Sequence, residues 1–228
     1  MKNCDMSLED HPLEDLILEV LNAASSIKVE CFMVGATARD IVLEQWGISP
    51  DRATRDVDFG VRVVTWEEFN LLCNVLTQRG FEKTNSPHRF LWNELPVDII
   101  PFGELEEPKS RLDWGDDIVF TTIGFEEALK CSHVVQIKGK NLKIASLAGL
   151  FLLKLIAWND RPQERGSDAV DMAKIMQCYL DVGNEERMYE VHNDLIELLE
   201  PYDVRRASAA LLGRDLKKFV VKNLNELS

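Results

Sequence analysis

The 228-residue sequence has no apolar run long enough to cross a bilayer. Its most apolar stretch, Leu147 to Trp158, carries Lys154 and falls short of the ~20 residues that a spanning helix needs. Met1 to Asp15 is acidic and has no apolar centre, so no signal peptide is expected. Cysteine is sparse and scattered. Cys4, Cys31, Cys73, Cys131 and Cys178 form no C-x-x-C pair, which argues against a zinc site or a disulfide framework and for reduced thiols in a cytoplasmic protein. His11, His88, His133 and His192 show no ligand spacing. Basic charge is in deficit, with 26 Lys and Arg against 39 Asp and Glu and a net charge of −13. A general nucleic-acid binder is thereby excluded, because that affinity comes from Lys and Arg neutralising phosphates. A nucleic-acid substrate would need a local basic patch. Arg39, Arg52, Arg55 and Arg62 flank the central motifs, and both a patch and scattered surface arginines fit them. Repeats, low-complexity segments and flexible linkers are also missing.

What is present is an ordinary globular balance, 46% hydrophobic and 29% charged, enough for one domain or two small ones. Ser7 to Asp10 begins a helix on which Leu13, Leu16, Ile17, Val20, Leu21 and Ala24 keep a helical period. Val29 to Val34 reads as a strand, Thr37 to Gln45 as a helix and Asp56 to Val63 as a second strand. Thr65-Trp66-Glu67-Glu68 matches a capping box for a helix that ends at Gly80. Phe81 to Thr84, Arg89 to Asn93 and Val97 to Ile100 read as short antiparallel strands, with Glu94-Leu95-Pro96 as the tight connection between the last two. Pro101 to Gly103 ends that run. A charged loop to Asp117 and an irregular stretch to about Lys130 follow, then a hairpin around Gly139 to Asn141. From Ser146 on the pattern is helical, near 146–159, 165–180, 185–199 and 203–218.

The chemistry gathers around Phe32 to Asp40 and Thr54 to Gly60. A short apolar run stops at Gly35, a helical segment follows, and a second run carries Asp56 and Asp58. Strand side chains alternate, so the two aspartates project from one face. Two adjacent carboxylates repel unless a cation lies between them, which suits Mg²⁺ or Mn²⁺ with their oxygen ligands and bound substrate phosphates. Gly35 lets a phosphate approach the backbone, and the following helix N-terminus attracts anions. Asp98 is an acid inside the apolar strand Leu95 to Ile100, costly unless paired or on metal. Lys154 sits on a helix apolar nearly all round, where a lysine needs a partner. Asp168 and Asp171 share a face of the next helix. Their pairing with Lys154 is open to two readings, a triphosphate contact or a structural lock between helices.

This arrangement resembles the nucleotidyltransferase superfamily, where a Gly-Gly or Gly-Ser turn precedes an Asp-x-Asp strand and a later strand supplies a third carboxylate. It is most similar to the AbiEii/AbiGii toxin-like branch, over about residues 28 to 180. Ala36 replaces the second Gly or Ser, and the gap from Gly35 to Asp56 is longer than in many members. Lys154, Leu155, Ala157, Arg161, Asp168 and Asp171 match a Lys-Leu-x-Ala stretch followed by Arg and Asp-x-x-Asp. Arg39-Asp40 is also similar to the Gly-Gly-x-x-Arg-Asp of CCA-adding and poly(A) polymerases, or else is a surface pair on the helix. The resemblance implies an α/β (α+β) nucleotidyltransferase fold with a mixed sheet over 1–145 and a C-terminal helical region over 146–228. It implies Asp56, Asp58 and Asp98 as metal ligands, and Gly35, Ala36, Arg39, Lys154, Asp168 and Asp171 at the nucleotide. A nucleoside triphosphate would be the donor substrate. RNA (including tRNA), protein or a small molecule such as an antibiotic would be the acceptor, and a cognate antitoxin a partner. A non-catalytic nucleotide-binding module is the rival reading.

Overall fold

The computed structural model describes residues 8, 11–50, 56–105, 111–114, 119–199 and 201–226. Cys4, Arg52, Arg55 and most of the Ser7 to Asp10 helix start lie outside them. The first helix, α1 (Glu14–Ser26), buries Leu16, Ile17, Val20, Leu21 and Ala24 and carries Glu14 and Asp15 in its first turn, where acids suit the helix dipole. β1 (Glu30–Val34) leads directly into α2 (Gly35–Glu44), which begins at the glycine, two residues earlier than its periodicity predicts. β2 (Val57–Val63) is followed by α3 (Trp66–Gln78). Thr65 caps α3 by accepting from the Glu68 amide at 3.3 Å, and the Glu68 carboxylate accepts from the Val64 amide at 2.7 Å, so the capping box closes one residue upstream of its usual partner.

β3 (Glu82–Lys83), β4 (Arg89–Trp92) and β5 (Leu95–Gly103) come next. The β4–β5 turn is Asn93-Glu94, both at positive φ, as a two-residue primed hairpin turn requires. The connection is therefore not Glu94 to Pro96: Leu95 and Pro96 already pair with Trp92 and Leu91. Nor does the strand stop at Ile100, because β5 pairs with β2 as far as Gly103. The stretch expected to be loop and irregular chain holds a small sheet of β6 (Arg111–Asp113) and β7 (Val119–Thr121), then α4 (Phe125–Lys130). β8 (His133–Ile137) and β9 (Lys140–Ile144) form the expected hairpin, but it turns at Lys138-Gly139 and not at Gly139 to Asn141, because Lys140 and Asn141 already pair with Ile137 and Gln136.

After β9 the described residues are helical or irregular: α5 (Leu147–Asp160), α6 (Gly166–Cys178), α7 (Glu185–Glu190), α8 (Asp194–Leu198) and α9 (Val204–Glu226). The single helix expected over 185–199 is two. The break at 191–193 lets Asp194 meet Arg214 of α9 in a two-pronged pair at 2.7 and 2.6 Å.

Among the described residues, the principal sheet has seven strands in the order β3-β4-β5-β2-β1-β9-β8. It is mixed: β2 runs parallel to β5 and β1 parallel to β9, while the other neighbours are antiparallel. Phe32, Phe59, Phe69, Phe81, Phe90 and Phe102 are fully buried in its core. Gly60 has a specific use here, since a Cβ on it would lie 2.5 Å from the Phe32 ring and 3.0 Å from the Phe125 ring of α4. No helix among the described residues is long and apolar enough to cross a membrane. The described cysteines form no disulfide: Cys31 and Cys73 are buried, Cys131 is exposed and Cys178 lies between.

Candidate active site

The parallel register sets Asp58 of β2 directly beside Asp98 of β5. Asp56, two residues before Asp58, falls on the same face. One carboxylate oxygen from each of Asp56, Asp58 and Asp98 lies within 4.8 Å of the other two. Three carboxylates in one small space form an all-oxygen donor set, which fits a hard divalent cation such as Mg²⁺ or Mn²⁺. Asp98 is buried, whereas Asp56 and Asp58 are half-buried. Burial, followed by the like charges of Asp56 and Asp98, pushes the Asp58 carboxyl up to about 7, against smaller opposing pulls from Lys154 and Arg89.

The turn into α2 is shaped around Asp58. Gly35 has φ +75°, a left-handed conformation, and a Cβ placed on it would overlap the Asp58 carboxylate and lie 2.7 Å from its Cγ. The glycine is therefore required by a carboxylate of this chain, whatever it also offers a phosphate. Ala36 follows in the first turn of α2, buried at 8% exposure. Thr37 then donates its hydroxyl to the Asp56 carbonyl at 2.6 Å, tying the start of α2 to the start of β2.

Behind the cluster, Lys154 of α5 is buried and paired. Its Nζ lies 2.7 Å from Asp171 Oδ2 and 3.1 Å from Asp168 Oδ1, both on α6. Asp171 also pairs with Arg39 of α2, whose Nε donates to Asp40 Oδ1 at 2.8 Å. Asp40, Arg39, Asp171, Lys154 and Asp168 thus form one chain of charges across three helices. Asp168 keeps one oxygen, Oδ2, with no hydrogen-bond partner, and Arg165 Nη1 lies 3.7 Å from it. Arg39-Asp40 is accordingly not a surface pair: the Arg39 side chain is 3% exposed. Arg62 pairs with Glu30 and Glu126 at the opposite end of β2 from Asp58. Of the four arginines expected to flank the acids, Arg39 is engaged inside and Arg62 is remote, so these two build no basic patch.

Among the described residues, the basic side chain bonded to the acids is Arg89, which sequence reasoning passed over. It faces Asp98 across the β4–β5 hairpin and donates to both its oxygens, Nε to Oδ1 at 2.7 Å and Nη2 to Oδ2 at 2.6 Å. Those hydrogen bonds hold the guanidinium above the usual arginine range. Arg89 also lines a cavity of about 390 Å³ with Lys83, Trp66, Phe69 and Trp114. The signal in the sequence was Asn93-Glu94: a two-residue turn there makes Arg89 and Asp98 partners.

No protein-family model matches the chain, and no curated protein does. Solved structures overlap it in part. The antibiotic-resistance factor ANT(2'')-Ia aligns at 15% identity over 82% of this chain and 96% of its own, with a TM-score of 0.45. An antigenic nucleotidyltransferase-like protein from Paracoccidioides brasiliensis aligns at 13% identity over 82% and 91%, with a TM-score of 0.46. A CCA-adding enzyme solved with CTP aligns at 15% identity over 93% of this chain and 52% of its own, with a TM-score of 0.36. At these scores the overlap decides nothing about chemistry.

Proposed function

We propose that this protein is a metal-dependent nucleotidyltransferase that moves a nucleoside monophosphate from a nucleoside triphosphate to an acceptor hydroxyl. The observation that carries the reading is the convergence of Asp56, Asp58 and Asp98 within 4.8 Å on one face of the sheet. Beside it lies the glycine-fronted N-terminus of α2. A divalent ion held by the three carboxylates would neutralise triphosphate charge and make the acceptor oxygen a better nucleophile. The chain's own part is positioning. Gly35 and Ala36 open the α2 N-terminus to phosphate oxygens, and Thr37 fixes that turn against the Asp56 backbone. Lys154 brings positive charge behind Asp58, held by Asp168 and Asp171, while Arg39 secures Asp171 from the α2 side. We assign the acids to a nucleotidyltransferase domain over 1–145 and the lysine clamp to a helical region over 146–228, so that the site needs both.

Within the superfamily the sequence resemblance over residues 28 to 180 supports the AbiEii/AbiGii toxin-like branch, which includes the toxins of toxin–antitoxin pairs, and a cytoplasmic toxin role with a cognate antitoxin is the proposal that follows. RNA, protein and small-molecule hydroxyls are the acceptor classes to test. The chain should be incubated with α-labelled triphosphates, Mg²⁺ and separate cell fractions of RNA, protein and metabolites. Label transferred to one fraction, with pyrophosphate released, supports the reading and identifies the acceptor. Triphosphate binding without pyrophosphate release in any fraction would make this a binding module instead.

A further inference from the structure

Arg89 stands where a cation belongs. It engages both oxygens of Asp98, at 2.7 and 2.6 Å, and its Nη2 lies 3.7 Å from Asp56 Oδ2. One guanidinium thus answers two of the three clustered acids. The two partners differ in freedom: the Asp98 side chain is 10% exposed and fixed in the middle of the sheet, whereas that of Arg89 is 41% exposed. β4 has only the two-residue β3 outside it, and Arg89 borders an open cavity. The base has room to move and the acid does not.

A divalent ion among the same carboxylates would face that guanidinium at close range, and like charges a few ångströms apart repel. A fork-on-fork pair also uses both oxygens of Asp98 in the carboxylate plane. We propose that Arg89 is the built-in counter-ion of the acid cluster: a divalent cation entering at Asp56, Asp58 and Asp98 displaces its guanidinium from Asp98. The inference rests on the metal-site reading above. It makes Arg89 a positioning residue that holds the acids together without metal and yields them when metal arrives.

The test titrates Mn²⁺ alone, without nucleotide, into the full chain, Arg89→Gln and Arg89→Lys by calorimetry. Displacement predicts Mn²⁺ binding at least about tenfold tighter in Arg89→Gln, with Arg89→Lys between, since it keeps the charge and loses the fork. Equal or weaker binding in Arg89→Gln overturns the proposal, because Arg89 would then hold the acids in ligating geometry. Arg89→Lys guards against a misfolded glutamine variant, and melting curves check both. The second readout is the Arg89 side-chain Nε–H signal in ¹⁵N–¹H spectra, identified by its loss in Arg89→Lys. It should move towards the position of a free guanidinium as Mg²⁺ saturates. A signal unmoved while calorimetry shows bound metal overturns this proposal and leaves the metal site standing. Absence of Mn²⁺ binding in the wild type and both variants overturns both.

Discussion

At the scale of single residues, Asp58 and Gly35 make the sharpest predictions. The native carboxyl of Asp58 titrates near 7, above its ordinary 3.8, because burial and two neighbouring acids disfavour its charge. The folded state therefore binds this proton more tightly than the unfolded state. The resulting stability is fully present below about 3.8 and is lost as pH rises through about 7. In a chelator, the metal-free protein should lose melting temperature between about pH 4 and pH 7, and Asp58→Asn should flatten that loss. An unchanged slope in the variant contradicts the assignment. Gly35→Ala should cost ~1–3 kcal/mol, because a Cβ at φ +75° is strained and meets the Asp58 carboxylate. It should also weaken Mn²⁺ binding measured without nucleotide. Unchanged Mn²⁺ affinity would show that Asp58 moves aside freely. Asp56, Asp58 and Asp98 were legible from alternation and from an acid in an apolar strand. Arg89 was not, because a turn placed at Glu94 to Pro96 gives it the wrong partner. Asn93 and Glu94 carry no glycine to mark where the chain reverses.

Between elements, local signals read well and distant pairings did not. The α3 cap, the existence of the β8–β9 hairpin though not its exact turn, and the helices α5 and α6 follow from capping residues, Gly139 and apolar period. The parallel pairing of β2 with β5, which sets Asp58 beside Asp98, leaves no local mark, since it joins strands about forty residues apart. β6 and β7 were hidden by the charge around them. The break between α7 and α8 lets Asp194 meet Arg214 of α9, a contact that no local window of sequence contains. The α5–α6 clamp supplies a test at this scale. Lys154→Met keeps aliphatic volume and removes the charge. Asp171 retains Arg39 while buried Asp168 is left with Arg165 at 3.7 Å, so the penalty of about 1–3 kcal/mol by chemical denaturation should fall on Asp168. Nucleotidyl transfer should fall at least about tenfold, equal to ~1.4 kcal/mol of transition-state interaction. Full turnover with lowered stability would make Lys154 a structural lock between α5 and α6.

For the molecule as a whole, acidity and the acid cluster act together. A chain of net charge −13 that packs three carboxylates within 4.8 Å of one another should gain stability from a bound divalent cation. At a hundred times the dissociation constant that gain is about 2.7 kcal/mol by linkage. Thermal melting with rising Mg²⁺ should show it in the wild type and lose it in Asp58→Asn. The central claim is that this cluster performs nucleotidyl transfer, and pyrophosphate release tests it most directly. With Mg²⁺, a mixed triphosphate pool and whole-cell acceptors, the wild-type chain should release pyrophosphate. Asp58→Asn, folded by its melting curve, should release none above background. Equal release by the two proteins, or none from a wild type that binds both metal and triphosphate, would contradict it.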